Sequence, residues 1–179
     1  ALIDRSMSGR LADAAQRSVA ESSPMGLKVG DIAPDFELAS HRGGKVRLSS
    51  FLGKKAVLIA FHPLAWTPVC ATQMSSYERD SSWLEAHGTH VLSISVDSVP
   101  CKIEWAKSLG GISYDLLSDF FPHGSVAERY GVARPDGLSE RAIFLVDKRG
   151  RIAFARVYDI PTLPDQGEIR KAIEGLEGQ

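Results

Sequence analysis

The sequence predicts an α/β domain with a central mixed sheet flanked by helices, and three observations carry that expectation. Short β-branched runs alternate with longer stretches at helical period. One run, Ala56 to Phe61, is apolar throughout, as in a central strand covered on both faces. Two further runs flank Asp147-Lys148-Arg149-Gly150, whose composition is that of a hairpin turn.

In chain order, Leu2, Ile3, Met7, Leu11, Ala14, Ala15 and Val19 recur at helical spacing, so residues 1–25 read as a helical N-terminal extension. Met25 after Ser22-Ser23-Pro24 is a candidate natural start, which makes the residues before it either an added segment or an unusual extension. It lacks the continuous apolar core of a secretory signal. Residues 26–179 read as one domain, without a Pro/Gly/Ser-rich linker or an internal repeat. Within it we expect a strand at Val46 to Phe51 and the central strand from Ala56 to His62. A long helix over Thr67 to His87, a strand over His90 to Asp97 and a helix over Pro100 to Leu109 complete a parallel, right-handed βαβ unit. A short strand at Leu116 to Asp119 and a short helix at Gly124 to Tyr130 follow. The hairpin pairs Arg141 to Val146 with Arg151 to Tyr158, and a helix from Asp165 to Leu176 closes the domain.

Composition narrows the function classes. Of 179 residues 44% are hydrophobic, which excludes a disordered tail protein. Lys plus Arg number 21 against 22 Asp plus Glu, without long like-charge blocks, so neither nucleic acid nor an anionic membrane is expected as a partner. The apolar run at Ala56 falls far short of the roughly 18–20 residues that cross a bilayer, and a soluble, cytoplasmic protein is expected. Two cysteines, Cys70 and Cys101, are too few for a disulfide scaffold or a four-ligand zinc cage; if they matter, they matter through reactivity.

The informative stretch is Phe61-His62-Pro63-Leu64-Ala65-Trp66-Thr67-Pro68-Val69-Cys70. Thr67 reads as an N-cap and Pro68 as the first helical residue, which puts Cys70 in the first turn. There the unsatisfied backbone N–H groups and the helix dipole favour thiolate over thiol. Ionising an ordinary thiol completely gains at most about 30-fold at neutral pH. Any larger acceleration must come from donors aimed at the transition state. The competing reading is a small hydrophobe on a buried helix face.

Pro63-x-x-x-Thr67-x-x-Cys70 resembles the peroxiredoxin signature. Gly30-Asp31-Ile32-Ala33-Pro34-Asp35-Phe36 resembles the opening of that family, and the likeness runs on through Leu116-Leu117-Ser118-Asp119 and Tyr130-Gly131-Val132 to Arg141-Ala142-Ile143-Phe144-Leu145-Val146-Asp147. Phe61 to Thr67 and Ser118-Asp119-Phe120-Phe121-Pro122-His123-Gly124 are similar to the AhpE-like bacterial subgroup. The resemblance implies a thioredoxin-like fold and a thiol-dependent peroxidase acting on hydrogen peroxide and organic hydroperoxides, with no metal, flavin or haem. It implies that Cys70 is the peroxidatic nucleophile, that Thr67 holds the peroxide, that Pro63 shields the thiolate, and that Arg141 places its guanidinium beside it. Without the resemblance, an Arg at a strand start reads as a solvated charge. The resemblance further implies a homodimer recycled by a thioredoxin-like or low-molecular-weight thiol.

Cys101 is open to more than one role, because members of the subgroup work with one cysteine or with two. It lies in the first turn of the helix after the strand at His90, and in a parallel βαβ unit both helices start from one sheet edge. The preferred reading is a resolving thiol that condenses with Cys70 sulfenic acid; pairing between chains and a thiol without catalytic part are the alternatives. Gln73, one turn beyond Cys70, reads as an exposed helix residue, with a hydrogen bond near the site as the alternative. His62 reads as a packing residue, Trp66 and Trp105 as core or rim aromatics, and His87-x-x-His90 as a solvated turn. No phosphate loop or dinucleotide fingerprint occurs in the sequence. A thiol–disulfide oxidoreductase would need C-x-x-C, where this chain has Thr67 and Gln73 around Cys70. A peroxide sensor or holdase is separated from a peroxidase by turnover.

Overall fold

Residues 26–178 are described by the structure, a computed structural model, and the helix expected over residues 1–25 lies outside them. β1 (Glu37–Ser40) and β2 (Lys45–Arg47) lead through a 3-10 turn at Leu48–Phe51 to β3 (Ala56–Phe61). There follow α1 (Pro68–Arg79), α2 (Ser81–Ala86), β4 (Thr89–Ser95), α3 (Val99–Ser108) and β5 (Asp115–Ser118). α4 (Ser125–Arg129), β6 (Arg141–Val146), β7 (Ile152–Tyr158) and α5 (Gln166–Glu174) complete the chain. The seven strands form one mixed sheet in the order β2-β1-β5-β4-β3-β6-β7. β3 with β4 and β4 with β5 pair parallel, as the βαβ reading expects, and the remaining pairs are antiparallel.

Alternation along the buried strands sorts side chains to two cores. Val57, Ile59 and Phe61 of β3, with Ala142 and Phe144 of β6, face a core closed by Val126 and Ala127 of α4, by Tyr130 just after it, and by Ala33 and Phe36. Leu58 and Ala60, with Ile143 and Leu145, face the opposite core, built with Met74 and Tyr77 of α1, Leu84 of α2, Trp105 and Ala106 of α3, and Ile169 and Ile173 of α5. Each large side chain fully buried in this way contributes about 1.5–3 kcal/mol. By the same parity Arg141 shares the face of Ile143 and Leu145, under α1.

Three local expectations need correction. The strand expected over Val46 to Phe51 is only Lys45–Arg47. At Leu48 the chain tightens into a 3-10 turn, because Ser50 Oγ donates to the Arg47 carbonyl at 2.6 Å and Asp35 Oδ1 accepts from Ser49 N at 2.9 Å. The helix expected over Thr67 to His87 is two, divided at Asp80 (φ −90°, ψ 7°), where Arg170 of α5 pairs with its carboxylate at 2.9 Å. Asp prefers such boundaries to helix interiors. β1 has no counterpart in the sequence reading; it is four residues long and is held by pairing with β2 and β5. The hairpin turn is confirmed: Asp147 Oδ1 accepts from Arg149 N and Arg151 N, and Gly150 takes φ 81°. Among the described residues no helix is long and apolar enough to cross a membrane.

Candidate active site

β3 delivers the chain to the carboxyl edge of the sheet, where Pro63 is buried just beyond the strand. The turn that follows is held both from outside and from within. Ala65 N donates to Asp97 Oδ2 at 2.9 Å, and Thr67 Oγ1 donates to the Leu64 carbonyl at 2.7 Å. Between them Trp66 takes φ 65°, a left-handed conformation that costs a non-glycine residue about 1–2 kcal/mol. Trp66 is 56% exposed, a rim aromatic, whereas Trp105 is in the core. Thr67 occupies the cap position with extended backbone (φ −107°, ψ 147°), but its hydroxyl does not cap α1. Pro68 is the first helical residue, as expected, so Cys70 is the third.

Cys70 is fully buried, and Arg141 reaches it from β6. Both terminal nitrogens, Nη1 and Nη2, lie 3.4 Å from Sγ. Nη1 also donates to Gln73 Oε1 at 2.6 Å and Nε to the Ile160 carbonyl at 2.9 Å. Arg141 is only 1% exposed, and of these three partners only the sulfur can carry a negative charge. A buried guanidinium is costly unless each of its donors finds an acceptor, and the sulfur takes that place for two of them. The solvated charge that an Arg at a strand start suggests is thus corrected: alternation turns Arg141 inward under α1.

Gln73 is likewise not an exposed helix residue. It is fully buried on the Cys70 face of α1, with its amide oxygen on Arg141 and its Nε2 donating to Tyr77 OH at 3.0 Å. Burial pushes the Tyr77 phenol up to about 12, so it stays protonated at the end of this chain. Spacing was the available signal, since i and i+3 share a helix face.

Cys101 stands at the third position of α3, where Ser98 Oγ accepts its N–H at 3.4 Å. Its Sγ lies 3.9 Å from Asp97 Oδ1. It is partly buried against the same core that holds Cys70, so both cysteines are at one edge and on one face of the sheet. Both thiols are free. Beneath them runs a row of buried polar groups that the sequence reading did not assemble: Arg141 on β6, His62 just past β3, and Ser95 at the end of β4. Lys102 of α3 joins it, fully buried, with Nζ donating to Ser95 Oγ at 2.6 Å. The signal was helical spacing, because Lys102 repeats with the buried Trp105 and Ala106. Burial, then the charges of Lys102 and Arg141, hold His62 well below the usual histidine range. Neutral, and packed 5.4 Å from the Trp105 ring, it is the packing residue expected.

His87 and His90 are engaged rather than solvated. His87 stacks on Trp83 with Nδ1 2.8 Å from the Trp83 carbonyl, while His90 lies on β4 with Nε2 2.8 Å from Asp115 Oδ2. Among the described residues no group of three or more metal-ligating side chains converges. A cavity of about 450 Å³ opens at the opposite edge, beside Ala56, His87, Asp147 and Lys148, and holds no cysteine.

Residues 29–155 match the AhpC/TSA family. The chain belongs to that family, the peroxiredoxins. It is 37% identical over 141 residues to alkyl hydroperoxide reductase E of Mycobacterium tuberculosis, covering 78% of this chain and 92% of that protein. It is 33% identical to the chloroplastic 2-Cys peroxiredoxin BAS1 of Spinacia oleracea, over 83% of this chain and 59% of that one. The reduced 2-Cys peroxiredoxin of Plasmodium vivax superposes with a TM-score of 0.78 at 30% identity, over 85% of this chain and 83% of that chain. The peroxiredoxin is thus a thiol-dependent peroxidase on the thioredoxin-like fold expected for it.

Proposed function

We propose that Cys70 reduces hydrogen peroxide and organic hydroperoxides as the peroxidatic nucleophile, with Arg141, Thr67 and Pro63 around it. One observation carries the reading: a buried guanidinium placing two donors 3.4 Å from a buried cysteine sulfur at a helix start. The sulfur lone pair attacks the hydrogen-bearing peroxide oxygen, the O–O bond breaks with its electron pair going to the second oxygen, and that oxygen takes the proton given up by the thiol and leaves as water or alcohol; Cys70 becomes a sulfenic acid. Arg141 donates to the charge that develops along S–O–O, and Gln73 with the Ile160 carbonyl keeps the fork aimed. Peroxide enters as the Leu64–Thr67 turn relaxes, taking the place of the Leu64 carbonyl on the Thr67 hydroxyl, while the Pro63 ring keeps bulk water out.

Cys101 then resolves the sulfenic acid as a disulfide, which a thioredoxin-like or low-molecular-weight thiol reduces. Support comes from the shared edge and face of the two cysteines. The relative's name, alkyl hydroperoxide reductase E, supports an organic hydroperoxide as substrate. A homodimer is favoured by exposed Trp66 and Phe121, at 56% and 86%, on loops leaving this same edge. We place the protein in the cytoplasm, where its thiol donors are abundant. The test is Cys70→Ser, which lowers peroxide consumption by roughly 10³-fold or more with an intact fold. Wild-type turnover in that variant would remove the reading.

A further inference from the structure

Asp97 is the joint between the two cysteine-bearing segments. Its Oδ2 accepts twice, from Ser95 Oγ at 2.6 Å and from Ala65 N, in the turn before Cys70, at 2.9 Å. Its Oδ1 faces Cys101 Sγ. The direction of the chain is fixed by Lys102. An ammonium only donates, so the Ser95 oxygen that accepts from Nζ must spend its own hydrogen on Asp97. Oδ2 is thereby filled from two sides, and Oδ1 is left for the thiol.

We propose that Asp97 is the base for Cys101: its Oδ1 takes the thiol proton as Cys101 attacks the sulfenic sulfur of Cys70, and Lys102, acting through Ser95, is the positioning residue that holds it there. The inference rests on Cys101 being the resolving thiol. In the step the S–H bond of Cys101 breaks and its proton passes to Asp97. The Cys101 sulfur lone pair forms the S–S bond as the S–O bond of Cys70 breaks. The oxygen leaves with that electron pair, takes the proton from Asp97 and departs as water. One sulfur is oxidised by the other, so no further oxidant is required.

The charged and titratable groups around Lys102 come from each element packed on it: Asp97 before α3, Cys101 on α3, Cys70 on α1 and Asp119 after β5. His62, under the charges of Lys102 and Arg141, is neutral. Burial holds the Lys102 ammonium down to about 8, which these groups partly offset. A buried lysine whose hydrogen-bond chain ends on a cysteine is a costly element for packing alone.

The experiment starts from Cys70 sulfenic acid formed with one equivalent of peroxide, and follows disulfide formation as loss of water by acid quench and peptide mass analysis. In wild type the Cys70–Cys101 disulfide forms, and Cys101→Ser blocks it. Asp97→Asn keeps an acceptor for Ser95 and Ala65 but presents no base to the thiol. It slows the step about 10-fold or more at pH 7, and the rate recovers as pH rises and the thiol ionises unaided. Lys102→Met, which removes a buried charge without opening a cavity, slows it about 3-fold or more with the same recovery. Resolution by Asp97→Asn at the wild-type rate, or slowing that persists at high pH, would overturn the relay while leaving Cys101 as resolving thiol. A wild-type protein that forms no such disulfide, with Cys101→Ser turning over fully, would overturn the resolving role itself.

Discussion

Cys70 and Cys101 occupy the same place in two helices: each is the third residue of a helix leaving the carboxyl end of a parallel strand, with proline at the first or second position. The helix dipole and loose backbone N–H groups act on both. The neighbours separate them. Cys70 is fully buried against the two donors of Arg141, whereas Cys101 is partly buried beside the carboxylate of Asp97. The caps differ too, since the Ser98 hydroxyl takes the amide of Cys101, while the Thr67 hydroxyl turns away to Leu64 and leaves its helix start uncapped. A helix start is a shared bias, and in the proposed mechanism each sulfur's part is set by the charged group beside it: Arg141 from β6 for Cys70, and Asp97, just before α3, for Cys101. In that mechanism the cation stabilises an attacking sulfur and a departing oxygen, and the carboxylate receives a proton.

The comparison breaks first at Arg141. Arg141→Lys keeps the charge and loses the planar fork, so the second-order rate constant with peroxide, followed by tryptophan fluorescence, falls about 10–100-fold. An unaltered rate would show that the fork is not what distinguishes Cys70. Lys102 on the Cys101 side gives the next largest effect, in stability. Its ammonium is pushed from an ordinary 10.5 down to about 8 in the fold, chiefly by burial. Between those values the unfolded chain binds more protons, so wild-type stability rises with pH across that window. Lys102→Met therefore stabilises the domain by about 1–3 kcal/mol at pH 7, and the gain shrinks as pH rises from about 8 toward 10.5. Denaturant melts at a series of pH values check it, and a constant or growing gain would contradict it.

How much of this was legible in the sequence follows from which residues decide it. β3 and the β6–β7 hairpin were visible because their apolar runs and turn residues are local properties. β1 was not, since Glu37-Leu38-Ala39-Ser40 shows little alternation and gains its strand from pairing with distant chain. The break at Asp80 was hidden because the apolar period runs across it, and only the pairing with Arg170 marks it. Cys70 was placed at its helical position by Pro68 and the strand before it. The inward turn of Arg141, the burial of Gln73 and the Asp97–Ser95–Lys102 chain depend on which faces meet, and charged or amide side chains alone read as solvated.

Gln73 sharpens the Cys70 side further. Gln73→Leu removes the acceptor for Arg141 Nη1 and loosens the fork, lowering the rate with peroxide about 10-fold. A rate within twofold of wild type would mean that Ile160 alone aims the guanidinium. The smallest effect tests strain at the Cys70 helix start, which the Cys101 helix start lacks. Trp66→Gly removes the left-handed cost at φ 65° but adds freedom to the unfolded chain, for a net stabilisation under about 1 kcal/mol. A loss of stability by the same melts would show that the Trp66 ring, not the backbone, dominates there.

The division of labour between the two cysteines is tested most directly by adding one equivalent of peroxide to the reduced protein, quenching over time, and mapping oxygen by peptide mass. The expected result is oxygen first and only on Cys70, vanishing as the Cys70–Cys101 disulfide forms. Oxygen arriving first on Cys101, or on both sulfurs at equal rates, would contradict it.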